Sequence, residues 1–403
     1  MLTVAEARQR ILAPLTRLPG EEVAVREAHD RVLAESVTAT TDVPPFANSA
    51  MDGYAVIAGD VAQARPDRPV RLAVAGEVRA GFAPAHPVRP GTAVRIMTGA
   101  AIPDGADAVV RVEDTAEGDH EVLVQVPVEA GTSLRAAGSD LRAGEVVARE
   151  GQVLTPGVIG VCAAAGRRRL RCVRRPRVLV LTTGDELREP GEPLQPGQIV
   201  NTNRYALAAA VAEAGGVVVD AGVARDERAQ LAAALQRASE ADLVVTSGGV
   251  SMGSYDLVRD LLAQEGAIDF WQVALRPGKP LAFGRIHDVP MIGLPGNPVS
   301  SLVTFELFAR PALLRMQGRE DRERPRLTAR TDSALVNPPH LEQYFRGIAR
   351  HGPDGLRVAL TGDQGSHVLR SMADANCLVV VPQGTSRVPA GAEVEIMPLA
   401  PID

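Results

Sequence analysis

The chain has 403 residues, 45% hydrophobic and 23% charged, with 43 Lys+Arg against 49 Asp+Glu and a formal charge of -6. Single cores stop growing beyond roughly 250–300 residues, so a small binding module is excluded and several domains are expected. The acidic balance argues against a nucleic-acid partner, no apolar run approaches the ~20 residues of a membrane helix, and the opening MLTVAEARQRILAPL lacks a cationic start with an apolar stretch, so the expectation is a cytoplasmic protein. Cys162, Cys172 and Cys377 are scattered, odd in number and form no C-x-x-C. Neither a zinc site nor a disulfide framework is indicated, and any metal should be oxygen-bound.

In chain order, Thr3-x-x-Glu6 is a capping box followed by Val4, Ala7, Ile11, Leu15 and Leu18 at helical spacing, stopped by Pro19-Gly20. This predicts an amphipathic opening helix. Residues 44–56, PPFANSAMDGYAV, are too polar and too rich in turn formers for a core strand at the centre of the segment, and by themselves read equally as an ordered linker or a site. From about Asp42 to Asp140 the runs VRLAVAGEV, TAVRIMTGA, DAVVRVED and EVLVQVPV, divided by Gly and Pro, predict a β-rich domain. TPGVIGVCAAAG, residues 155–166, predicts a buried helix with Pro156 in its first turn. The run RRRLRCVRRPR between Arg167 and Arg177 fits an edge strand with Leu170, Cys172 and Val173 inward and arginines solvated better than a nucleic-acid or anionic-membrane patch, and leads to a domain junction at Pro176.

After Pro176 the pattern becomes β-α-β-α-β: RVLVL, TNRYALAAAVAEAGG, VVVDAGVARD, ERAQLAAALQRASEA, DLVVT. Short apolar strands alternating with helices predict a parallel sheet covered on both faces, whose ligands bind at the carboxyl ends of the strands. A helix is predicted over LVTFELFARPAL, and from about Arg324 the runs RLTAR, YFRGIAR, GLRVAL, CLVVVP and EVEIMP predict a terminal β-domain.

Three strand-end loops are candidates for chemistry: residues 182–186 (TTGDE), 247–253 (SGGVSMG, with Asp256 beyond) and 293–301 (GLPGNPVSS). Gly and small hydroxyl residues let backbone N–H groups approach an anion, and helix N-termini favour negative charge, so the loops suit a phosphate or another oxyanion. Asp185, Glu186, Asp226 and Asp256 at neighbouring strand ends can hold Mg²⁺, bond to ring amino groups, or merely cap the following helices. No loop matches G-x-x-x-x-G-K-[ST] or G-x-G-x-x-G, which argues against a nucleotide kinase or a dehydrogenase.

NSAMDGYAV, RIMTGA, TTGDEL, SGGVSMG, RPGKP and GLPGNPVSS, in this order, resemble the molybdopterin molybdenumtransferases, the MoeA and gephyrin E-domain family, over essentially the whole chain. The resemblance implies a multidomain α/β and β protein whose central three-layer α/β adenylyltransferase-like domain has a mostly parallel sheet flanked by β-rich domains. Residues 1–41 and 141–174 would form a discontinuous helical and linker dimerisation domain, 42–140 a β-rich domain, 175–322 the molybdopterin-binding α/β domain and 323–403 a C-terminal β-domain. It implies a homodimer, with a cleft shared between subunits, that inserts molybdate into adenylylated molybdopterin with Mg²⁺ and releases AMP.

By motif match, Asp52, Glu186 and Asp256 would be catalytic, and Glu186, Asp226 and Asp256 would hold Mg²⁺. The pterin nucleotide would meet Thr98, Asp140, Thr183, Gly184, Asp185, Ser247, Gly248, Gly249, Ser251, Pro295, Asn297 and Pro298. Molybdate would meet Arg276, Lys279, Pro280, Ser300, Arg346 and Ser366. Arg276 stands where many relatives show Lys-Pro-Gly-Lys; its planar fork keeps the charge but changes the geometry of a contact. Two alternatives are the adenylyltransferase reaction itself, which the MDGYAV region and flanking β-domains argue against, and a scaffold, which lacks the long Pro/Ser-rich linker that would join a second module.

Overall fold

The computed structural model describes residues 1–224, 228–248 and 266–402. The chain divides into two compact units: residues 1–21, 30–34 and 172 to the C-terminal end form one, and residues 22–29 and 35–171 the other. Each is described by itself.

In the first unit the opening helix, Val4–Leu12, starts as its capping box dictates: the Glu6 N–H donates to Thr3 Oγ1 at 3.2 Å and the Thr3 N–H to Glu6 Oε2 at 2.8 Å. Val4, Ala7, Ile11 and Leu15 enter the same core as Val178, Leu243 and Leu313. The opening helix therefore packs with the α/β fold, because its apolar stripe finds its partner there.

The main sheet of this unit has six strands in the order Val217–Ala224, Arg177–Thr183, Leu243–Ser247, Val289–Leu294, Pro280–Ile286, Gly266–Gln272. The first four are mutually parallel; Pro280–Ile286 runs antiparallel to Val289–Leu294, and Gly266–Gln272 antiparallel to Pro280–Ile286. Alternate side chains of Arg177–Thr183 enter different cores, as strand pleating requires. Val178 and Val180 pack with Leu207, Val211, Val299 and Val303, whereas Leu179 and Leu181 pack with Leu231 and Leu235. Helices Thr202–Glu213 and Pro298–Thr304 thus cover one face and Arg228–Gln236 the other. The helix predicted over LVTFELFARPAL is interrupted by a π segment, Phe305–Ala309, before Arg310–Met316. Pro311 lacks an N–H and its ring disturbs the preceding turn, which the wider turn accommodates.

The C-terminal strands close into a small barrel: Glu342–Gly352, Gly355–Leu360, Leu327–Thr331, Glu393–Pro398 and Cys377–Val381, the last pairing back to the first. Phe345, Ala349, Val358, Val379 and Ile396 fill it. The short strand Leu275–Arg276 joins its edge in parallel with Glu342–Gly352, placing Arg276 in register with Gln343.

The second unit holds a six-stranded sheet in the order Ala108–Arg111, Gly53–Val56, Thr92–Ile96, Val70–Val78, Glu121–Val124, Thr115–Glu117; four of these match the predicted β-runs, while the buried strand Gly53–Val56 and the short Thr115–Glu117 are additional. Gly53 is required by close approach: a Cβ there would lie 1.9 Å from the Val110 carbonyl oxygen. The helix over residues 155–166 exists as Pro156–Ala164, with Thr155 as N-cap, but it is not buried. Only Cys162 is enclosed, and the remaining small and branched residues of the helix are exposed or half-buried. The strand Arg169–Val173 alternates as expected, with Leu170, Cys172 and Val173 buried and Arg169 and Arg171 exposed. No helix of the described residues is long and apolar enough to cross a membrane.

Candidate active site

Register sets the site. Thr182 pairs with Ser247, and Ser247 with Leu294, so three parallel strands end level with one another. Beyond that edge lies a cavity of about 1080 Å³ lined by all three strand-end loops, the start of helix Thr202–Glu213, the Arg276–Pro280 turn and residues 364–367 beside the barrel. It sits where ligands bind on open α/β sheets.

The loops are fastened by short polar residues. Asn203 Nδ2 donates to Ser247 Oγ at 2.8 Å and to the Gly296 carbonyl at 2.7 Å. Ser247 Oγ donates to the Pro295 carbonyl at 3.2 Å, and the Gly248 N–H to the Leu294 carbonyl at 3.1 Å. Asn201 Nδ2 donates to Thr182 Oγ1 at 2.7 Å while its Oδ1 accepts from the Arg204 N–H, so one side chain caps the helix and braces the first strand end. Asn297 Nδ2 donates to Ser366 Oγ at 3.1 Å, tying the third loop to residues 364–367. Gly278 occupies a left-handed conformation (φ +111°), and a Cβ there would lie 2.5 Å from Thr304 Cγ2, so the turn carrying Arg276 requires glycine.

Two arginines line the cavity in different settings. Arg276 is exposed and has no carboxylate partner among the described residues. Arg346 is 1% exposed, with Nε donating to Ser371 Oγ at 3.0 Å and Nη2 to the Gly365 carbonyl at 3.0 Å. Gln364 completes the brace: its Oε1 accepts from the Arg346 N–H at 2.8 Å and its Nε2 donates back to the Arg346 carbonyl at 3.2 Å. Burial pulls the guanidinium pKa of Arg346 down to about 10, with Asp363 opposing, so it remains a cation at neutral pH. The lining thus includes a buried cation, an exposed cation and the serines Ser300 and Ser366, side-chain types that suit an oxyanion.

The cavity gathers most of the residues expected from sequence: Thr183, Gly184, Glu186, Ser247, Gly248, Arg276, Pro280, Pro295, Asn297, Pro298, Ser300, Arg346 and Ser366. Asp185 and Lys279 are exposed and outside the wall, although their neighbours Gly184, Glu186, Gly278 and Pro280 belong to it. Asp226, Gly249, Ser251 and Asp256 lie outside the described residues. Asp52, Thr98 and Asp140 belong to the other unit. There Asp52 Oδ1 accepts from the Thr98 N–H at 2.6 Å and the Thr98 hydroxyl at 2.7 Å, and these bonds hold its carboxyl below the usual range.

Sequence reasoning missed Asn201, Asn203, Gln343, Gln364 and His367. The two asparagines had a signal, since both stand at the start of a helix that follows a strand-end loop; the other three reach the cavity only through barrel closure. Among the described residues, Glu186 is the one carboxylate on the wall, and no three His, Cys, Asp or Glu side chains gather as a metal set.

These features define a multidomain α/β and β protein with a polar-lined cavity at the carboxyl edge of its parallel sheet. Residues 2–166 match the MoeA N-terminal region (domains I and II), 179–315 a probable molybdopterin binding domain, and 328–399 the MoeA C-terminal region (domain IV). The molybdopterin molybdenumtransferase 2 of Mycobacterium tuberculosis is 42% identical over 402 residues, covering 98% of this chain and 99% of its own. The molybdopterin molybdenumtransferase of Haemophilus influenzae is 38% identical over 405 residues, covering 99% of this chain and 98% of its own. A molybdopterin biosynthesis MoeA protein from Pyrococcus horikoshii, known from its crystal structure, superposes with a TM-score of 0.83 at 33% identity over 99% of each chain. The chain belongs to the molybdopterin molybdenumtransferase family.

Proposed function

We propose that this chain works in molybdenum cofactor biosynthesis by inserting molybdate into adenylylated molybdopterin, with release of AMP. The observation that carries the reading is the cavity itself. Its volume and its loops rich in Gly, Asn and small hydroxyl residues support a pterin nucleotide as ligand, and the presence of Arg276, Arg346, Ser300 and Ser366 in its lining supports a tetrahedral dianion beside it. Insertion has to bring a dianion to a substrate that already carries a charged phosphoanhydride. Cations fixed by the fold lower that repulsion, and positioning supplies the remainder. Arg346 suits this role because its bonds to residues 365 and 371 hold it in place before the anion arrives.

For Mg²⁺ we propose Glu186, the carboxylate on the wall among the described residues, with Asp226 and Asp256 as further ligands. When bound, it would polarise the phosphoanhydride. Asp52, braced by Thr98, is proposed as a further catalytic group, with Asp140 assisting in substrate binding. Residues 2–166 and 328–399, matching MoeA regions on either side of the molybdopterin-binding domain, favour this reading over the adenylyltransferase reaction, for which an adenylyltransferase-like central domain would suffice. A cytoplasmic homodimer is proposed, and the exposed apolar helix Pro156–Ala164 supports pairing through that element.

The test is to incubate the purified protein with adenylylated molybdopterin, Mg²⁺ and molybdate, following AMP release and activation of an apo-molybdoenzyme. Molybdate-dependent AMP release with enzyme activation is the expected result. Absence of both would overturn the proposal.

A further inference from the structure

Among the described residues, one buried polar side-chain atom of a cavity-lining residue has no hydrogen-bond partner. Gln343 is 6% exposed and lines the cavity, on strand Glu342–Gly352, in register with Arg276 on one side and Val381 on the other. Its Oε1 is buried and accepts no hydrogen bond among the described residues. Glu342 accepts from the Tyr344 hydroxyl, Gln364 is bonded to the backbone of Arg346, and Arg276, in register with Gln343, makes no hydrogen bond to its Oε1.

Folded chains seldom leave a buried amide oxygen without a donor, because its lost hydration is then not replaced. A glutamine kept for packing alone would be served as well by an apolar side chain of similar length. The terminal torsion of glutamine is broad, so a small turn brings this oxygen to the cavity surface that the residue already lines. A donor entering the cavity can therefore supply the missing partner.

The polarity of the orphan atom selects the part of the ligand. A carboxamide oxygen accepts, and neither molybdate nor an ionised phosphate has a hydrogen to donate. Arg276, Arg346, Ser300 and Ser366 already supply donors for an anion. We propose that Gln343 is a substrate-binding residue whose Oε1 accepts a hydrogen bond from an N–H or O–H group on the organic part of the ligand, a ring nitrogen, amino group or sugar hydroxyl of the pterin nucleotide. This rests on the function proposed above. It makes Gln343 a specificity determinant, because a site with a committed buried acceptor discriminates against analogues that lack the donor.

The experiment uses the full-length protein with Q343M, which removes the acceptor at similar length, and Q343E, which retains an acceptor oxygen. Binding of adenylylated molybdopterin is titrated directly, and molybdate dependence of cofactor yield is measured in parallel. Q343M is expected to weaken nucleotide binding about five- to fiftyfold with the half-saturating molybdate concentration unchanged, and Q343E to hold nucleotide affinity within about threefold. Thermal unfolding adds a readout that a packing role would move the other way: removing an unpartnered polar atom should leave the Q343M midpoint at or above wild type. Unchanged nucleotide affinity in Q343M, or a lowered midpoint with unchanged affinity, overturns the inference. So does weaker molybdate use in both variants at normal nucleotide affinity, which would assign the amide nitrogen to the oxyanion. If wild-type protein converts no substrate, the proposed function fails; if it does and Q343M binds normally, only the role of Gln343 fails.

Discussion

Replacing Arg346 by Met separates oxyanion binding from loop support. Methionine keeps an unbranched chain of similar length in a position that is 1% exposed, but removes the guanidinium that donates to Ser371 Oγ, the Gly365 carbonyl and, at 3.4 Å, the Asp363 carbonyl. Two opposing terms act on stability. Hydrogen bonds from a charged group contribute about 1.5–3 kcal/mol each, yet burial disfavours the guanidinium, as its lowered pKa shows, and Met removes that penalty. Residues 364–367 also keep supports outside this side chain, since the Val299 N–H donates to the Ser366 carbonyl at 3.1 Å and Asn297 Nδ2 to Ser366 Oγ. The net loss of stability should therefore be small, about 1–2 kcal/mol. A charged donor lost from the oxyanion has no such offset, and about 1.5–3 kcal/mol corresponds to a roughly ten- to hundredfold rise in the molybdate concentration needed for half-maximal cofactor yield. Molybdate titration of cofactor yield, beside urea unfolding and direct binding of adenylylated molybdopterin, measures all three quantities. A stability loss of several kcal/mol with an unchanged molybdate requirement would refute the argument and leave Arg346 as a loop brace only.

Glu186→Gln should leave unfolding unchanged, because the side chain is exposed, while lowering AMP release at limiting Mg²⁺; equal Mg²⁺ dependence in wild type and variant would remove Glu186 from the metal site. Asn203→Ala removes both bonds that join Ser247 and Gly296, and should cost about 1–3 kcal/mol of stability and weaken nucleotide binding, measured by urea unfolding and titration. Thr98→Ala removes a hydroxyl donor to Asp52, so the carboxyl pKa, held low in the folded protein, should rise toward its ordinary value. The part of stability present above that ordinary value and lost as pH falls through the folded pKa should shrink accordingly, as carboxyl NMR titration and acid unfolding would show. Burial pushes the Cys377 thiol up to about 12, so it should resist alkylation at pH 8 in folded protein and react once unfolded. Because the unfolded thiol ionises first, stability should fall as pH rises above about 9.

The local elements were legible because each depends on neighbours in sequence. Thr3 and Glu6 specify the helix start, the runs after Pro176 specify alternating strands and helices, and the period of RLRCV specifies which side chains of that strand face inward. The three strand-end loops could be singled out from Gly, Asn and hydroxyl content together with the rule for parallel sheets. Other features depended on long-range packing. The helix Pro156–Ala164 is apolar almost throughout, so composition indicated burial, whereas the fold covers only Cys162; hydrophobicity says that a surface favours cover and not what supplies it. The opening helix has a clear apolar stripe, but nothing in its period named the α/β core as its partner. Gln343, Gln364 and Arg346 are close in the chain to ordinary strand and turn residues, and they become a polar wall only when the barrel closes and Leu275–Arg276 pairs along its edge. Sequence by itself determined the elements, their strand-end loops and the family; tertiary structure decided which side chains share a cavity and which are spent holding it, because register and burial arise from pairings between residues far apart in the chain.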